Sequence, residues 1–102
     1  MMQTIRSLAA RGAVSITLHA RMEMDDDRVT TDALMKAIAD RTSEIIEDYP
    51  DDARGHSHLV LAWTRRDEPI HVCCAIHEGE LVVITVYRPN AAFWAADWRT
   101  RL

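Results

Sequence analysis

The chain has 102 residues, 48% of them hydrophobic and 27% charged, which is enough apolar side chain for one compact core and too much for a disordered segment. Its formal net charge of -4 repels a phosphate backbone as a whole, so any nucleic-acid site must be a local cluster of cations. There is no signal-peptide core and no run near membrane-spanning length, so the cytoplasm is the expected location and no membrane partner is expected.

Ile5 and Leu8 recur at helical spacing within residues 2 to 11, and Gly12 is a plausible stop. The β-branched run "VSITL" predicts a short first strand, at an edge or under a helix. From His19 the pattern turns helical, breaks at Asp25, Asp26 and Asp27, and restarts in "TTDALMKAIADR". There Thr30 or Thr31 can cap, Asp32 favours the positive end, and Leu34, Met35 and Ile38 form a buried stripe. Three or four strands follow, "SEIIEDY", "SHLVLAWTR", "PIHVCCAIH" and "LVVITVY", with short connections that favour antiparallel neighbours. In the tail "AAFWAADWRTRL", Phe93, Trp94 and Trp98 stand at helical spacing and predict a short packing helix. The order predicts one α+β domain over residues 1–102, its N-terminal helices on one face of a small antiparallel sheet.

A two-residue turn at Asp67 and Glu68 would set Thr64 opposite His71 and His58 opposite His77. Leu59, Leu61 and Trp63 would then join Ile70, Val72, Cys74 and Ile76 beneath the helices. His58, Val60, Ala62, Thr64, His71, Cys73, Ala75 and His77 would share the other face, the best place for a site. For the last strand, a two-residue turn at Glu78 and Gly79 sets Val86 beside His71, and a three-residue turn sets Tyr87 there. Cys73 and Cys74, as strand neighbours, point to opposite faces and are read as free thiols.

The blocks "HARMEM", "IIEDYPDD", "LVLAWT", "PIHV", "ITVYRP" and "FWAADWRTR", in this order over roughly residues 15 to 101, resemble the bacterial domain of unknown function family 4258. Members of that family resemble the RelE-like and barnase-like small ribonuclease fold and are often encoded beside zinc-finger antitoxins. The resemblance implies a toxin-like ribonuclease with an RNA substrate and a zinc-finger antitoxin as partner. It places the polar signature on His19 and Glu23, on Glu47, Asp48 and Tyr49, on His71, and on Thr85 and Tyr87. Some members carry arginine four positions after the histidine, where this chain has Glu23.

Metal-independent RNA cleavage needs a base, an acid and a cation for the phosphorane-like charge. His19 and His71 could supply the proton transfers, Tyr87 a donor or stacking group, and Arg65, Arg66 or Arg88 the cation. Glu23, one turn beyond His19, can hold the imidazole and fix its tautomer. No cofactor and no metal is expected. His71 and His77 would be roughly 20 Å apart on one strand, so zinc would need His58, His77 and an unidentified third group. The "EDYPDD" carboxylates read as a solvated turn. The competing expectation is a noncatalytic module that binds protein or forms a homodimer through Phe93, Trp94 and Trp98.

Overall fold

The computed structural model describes residues 1–102 in full. Three helices, α1 (Met2–Ala10), α2 (Leu18–Asp26) and α3 (Thr31–Ala39), accompany five strands: β1 (Val14–Ile16), β2 (Glu44–Tyr49), β3 (Ser57–Arg65), β4 (Glu68–His77) and β5 (Glu80–Tyr87). Gly12, at φ 70°, turns the chain after α1. Thr17 and Thr30 cap α2 and α3 by accepting from Ala20 N and Ala33 N. The α3 stripe buries Leu34, Ala37 and Ile38 and leaves Met35 half-buried, so Ala37 holds the place expected of Met35. No helix is long and apolar enough to cross a membrane.

The sheet runs β1-β5-β4-β3-β2 and is mixed, which corrects the expectation of an antiparallel one. β1 is an edge strand and pairs parallel to β5, because α2, α3 and three strands intervene before the chain returns beside it. The other pairings are antiparallel.

The register of β3 on β4 corrects the expected facing of side chains. Arg65 pairs with Glu68 around a turn at Arg66 and Asp67, and Thr64 is left over as a bulge between Trp63 and Arg65. Leu61 therefore lies opposite His71, and His58 lies opposite Cys74 rather than His77. The odd slip flips β3, so Val60 and Ala62 join Ile70, Val72 and Cys74 beneath the helices. Leu59 and Leu61 take the second face with His71 and Cys73. Between β4 and β5, Glu78 and Gly79 both adopt positive φ in a two-residue turn. A further bulge at Ile84 nevertheless brings Tyr87, not Val86, opposite His71.

Helices and sheet enclose one apolar cluster that includes Ile5, Leu8, Met24, Leu34, Ile38, Val60, Val72, Leu81 and Val86. Cys74 belongs to it, and burial pushes its thiol up to about 12. Cys73 faces the other way, half-buried, and both thiols are free.

The C-terminal helix does not form. Asp97 accepts from Arg99 N and Thr100 N, an alternative to helical pairing, and Trp98 sits at φ 60°. The segment doubles back instead: Ala95 N donates to Thr100 O, Leu102 N donates to Phe93 O, and Trp94 bridges Arg101.

Candidate functional site

β1 covers only Leu81–Val83 of β5, so the outer edge of β5 beyond that point needs other partners. Side chains of α2 and its flanks supply them. Thr17 Oγ1 donates to Ile84 O at 3.0 Å, Glu23 Oε1 accepts from Val86 N at 3.0 Å, and Asp27 Oδ2 accepts from Arg88 N at 3.3 Å. Four helical residues rise about 6 Å and two strand residues about 6.7 Å, so acids one turn apart match alternate amides of the strand. Glu23 thus has a structural duty that an arginine could not perform, since guanidinium has no acceptor.

His19 extends the same face by one turn toward the helix start. Its Nε2 lies 3.2 Å from Glu23 Oε1, and its side chain is 69% exposed. At the far end, Arg28, Arg65 and Arg88 line a cleft of about 560 Å³ with Asp27, Thr30, Thr64 and Glu68, so three guanidinium groups face two carboxylates and leave a local excess of positive charge. Arg88 Nη1 donates to Thr64 Oγ1 and Pro69 O, which fixes one cation in place. Arg66 lines a neighbouring depression with Asp40, Thr42 and Trp63. From His19 to Asp27 is two turns, roughly 12 Å along the axis. An accessible imidazole and a cationic cleft therefore lie at opposite ends of one helix.

His71 occupies a different environment. It is fully buried, its Nδ1 lies 3.1 Å from Tyr87 Oη, and its Nε2 lies 2.6 Å from Trp98 O. A carbonyl only accepts, so Nε2 carries the proton and the neutral ring accepts the Tyr87 hydroxyl at Nδ1. Trp94 stands edge-on to the imidazole at 4.4 Å, and Arg101 lies over the Trp94 ring at 4.6 Å. Arg101 also grips Glu47 through two nitrogens, at 2.7 and 2.9 Å, and Tyr49 donates to Glu47. The Arg101 hydrogen bond holds the Glu47 carboxyl below its usual range. Burial, then the bond to Glu47, raises the Tyr49 phenol to about 12. The tail is a clamp over the second sheet face, and it closes His71 off from solvent.

Burial lowers the His71 pKa, opposed by its bond to the Trp98 carbonyl and by the Glu47 charge. The unfolded chain therefore takes up this proton first as acid is added. Its contribution to stability is full above the ordinary value of 6.5 and is lost as pH falls through the lowered folded value. Thermal melts from about pH 8 to about pH 5 should show a falling Tm, with the His71→Gln variant flatter over that window. An identical slope in both proteins would assign the acid sensitivity to other groups.

The structure joins His19 to Glu23, and His71 to Tyr87, but it does not bring the two histidines together. Glu23 bonds the amide beside Tyr87, and its charge helps raise the Tyr87 phenol, after burial and the Glu47 charge. Of the cations expected to bind RNA, Arg65 and Arg88 share one cleft, and Arg66 lies next to it. Sequence reasoning missed Arg28 and the structural part of Asp27. The spacing His19, Glu23, Asp27 was the available signal, since it repeats every four residues along one helix face.

These features define a small α+β domain whose mixed sheet is edged by a polar helix. The chain belongs to the family described as Domain of unknown function (DUF4258), whose pattern matches residues 16–88. That stretch runs from the end of β1 to Arg88 and so holds the whole polar track, while α1 and the clamping tail lie outside it. No curated protein and no solved structure matches the chain.

Proposed function

We propose that this domain is a RelE-like, toxin-type endoribonuclease that cleaves RNA without a metal, on the surface running from His19 to the arginine cleft. The observation that carries this reading is the alignment of an exposed, carboxylate-held imidazole with three arginines at the other end of α2. In this reading His19 takes the proton of the ribose 2'-hydroxyl while Glu23 fixes its ring, the 2'-oxygen attacks phosphorus as the bond to the 5'-oxygen breaks, and solvent water protonates that leaving oxygen. Arg28, Arg65 and Arg88 neutralise the backbone, overcoming locally the net charge of -4. His71 is a positioning residue here, because its sealed ring braces Tyr87 from beneath rather than touching RNA. A toxin of this kind works in the cytoplasm, and a zinc-finger antitoxin is the partner this reading carries with it.

Purified chain should cut a structured RNA in the presence of chelator, and expression without a partner should arrest bacterial growth. His19→Ala should lower the cleavage rate by about 10²–10⁴-fold. Arg65→Ala should weaken RNA binding and reduce its salt slope by about one charge. Intact RNA and healthy growth with soluble protein would overturn the reading.

A second reading, a noncatalytic protein-binding or self-associating module, draws on Leu18 and Met22. They lie one turn apart on α2, 75% and 59% exposed, and Phe93 is also bare at 67%. Light scattering after size exclusion tests it: a dimer lost in Leu18→Glu supports self-association, and a strict monomer removes it.

A further inference from the structure

Apart from the α2 surface, Asp48, His56 and His58 converge where β2 ends and β3 begins. Asp48 and His58 are cross-strand partners, which sets their side chains together on the helix side of the sheet, away from His71. His56 approaches from the preceding turn, its ring centroid 4.5 Å from that of His58. A single oxygen, Asp48 Oδ1, lies 2.7 Å from His56 Nε2 and 2.7 Å from His58 Nδ1. The first contact is a hydrogen bond. The second is short but misaligned, so Nδ1 of His58, a residue 4% exposed, is a buried nitrogen without a hydrogen-bond partner. It is the one buried side-chain nitrogen or oxygen in the chain left in this state. The buried His58 nitrogen thus meets the carboxylate only through a poorly aligned contact, and it converges with a carboxylate oxygen and a second imidazole nitrogen, a set of electron-pair donors that fits a shared electron-pair acceptor.

We propose that Asp48 Oδ1, His56 Nε2 and His58 Nδ1 form a binding site for a divalent first-row transition ion, with Zn²⁺ as its representative. The three donors already lie within 4.8 Å of one another. Donors bound to one ion at about 2.0–2.2 Å stand roughly 3.0–3.5 Å apart, so the short contacts need open by only about half an ångström. The two residues that would move, Asp48 and His56, have exposed side chains. Two imidazoles with one carboxylate suit transition ions, whereas Mg²⁺ and Ca²⁺ favour oxygen donors throughout. The exposure of two ligands also leaves room for water on the ion, the open coordination of a reactive centre rather than a closed structural one. The expected pairing of His58 with His77 is replaced by this set, because His77 lies three residues beyond the partner of His58, roughly 10 Å along the strand. The H-x-H spacing of residues 56 to 58 was the sequence signal, but only the β2–β3 register supplies the third ligand.

The test uses the full chain without a histidine tag, stripped with chelator and then titrated with Zn²⁺, Co²⁺ or Mg²⁺. One Zn²⁺ per chain should bind and raise Tm, and Co²⁺ should give a visible absorption band. His56→Ala should weaken Zn²⁺ by at least about tenfold and abolish the Co²⁺ band. Its metal-free Tm should change little, since His56 is exposed and its bond to Asp48 is a surface contact. His58 is too buried for its removal to be informative, so Asp48→Asn serves as the second variant and should weaken the metal likewise. Absence of Zn²⁺ binding, binding equally strong in both variants, or an equal response to Mg²⁺ would each overturn the proposal.

Discussion

Trp94→Ala is expected to destabilise the protein by about 3–5 kcal/mol in urea unfolding. Trp94 is only 4% exposed and holds together what the tail brings to the second sheet face. Its ring packs at right angles to His71, and the Arg101 guanidinium lies over it while bound to Glu47. Truncation removes a large apolar surface, leaves a void against a buried imidazole, and frees Arg101 from its stacking partner. The neighbouring Phe93, 67% exposed, provides the control, and Phe93→Ala should stay within about 0.5 kcal/mol. The two aromatic residues are adjacent in sequence, so a difference this large isolates burial as the cause. Admitting water to His71 should also raise its pKa, because burial is the main force lowering it. A loss below about 1 kcal/mol for Trp94→Ala would mean that the tail rests on the sheet without stabilising it.

Glu23→Ala should cost about 1–3 kcal/mol, the penalty for stranding a part-buried amide donor. The donor is Val86 N, which has no strand beyond it because β1 stops opposite Val83. Glu23→Gln keeps an acceptor oxygen and should retain most of that stability. It replaces the charge that holds His19, so the pair of variants separates edge capping from imidazole orientation. Hydrogen exchange at the Val86 amide gives the local reading, with faster exchange expected in Glu23→Ala than in Glu23→Gln. Unchanged exchange and stability in both would show that water substitutes for the carboxylate.

Much of the architecture was legible because local signals agreed with the tertiary result. α3 could be read from its threonine cap and apolar stripe, and β3, β4 and β5 from β-branched runs between turn residues. The edge position of β1 was also foreseeable, whereas its parallel pairing was not, since nothing in three residues states a partner. Facing of side chains was the weak point. Single extra residues at Thr64 and Ile84 decide which side chains meet, and a bulge has no pattern distinct from an ordinary strand position. The tail misled for another reason: its aromatic spacing suits a helix, but Asp97 bonds the following amides and turns the chain back on itself.

The candidate site was legible at the level of residue type. His19 with Glu23 and His71 with Tyr87 do meet, as helix spacing and one of the two strand registers suggested. What the sequence lacked was exposure. His19 and His71 carry the same side chain, yet one stands in solvent and the other lies under Trp94 and the Trp98 carbonyl. The carbonyl that binds His71 lies 27 residues away, beyond any local pattern.

Under the proposed function, His19 is the histidine that meets RNA and His71 one that braces the fold. Imidazole NMR of all five histidines during titration with a short RNA tests that division directly. Selective shifts at His19 with the Arg65 and Arg88 side-chain signals, and none at His71, are the predicted result. Unmoved His19 resonances at saturating RNA, or perturbation confined to His71, would contradict it.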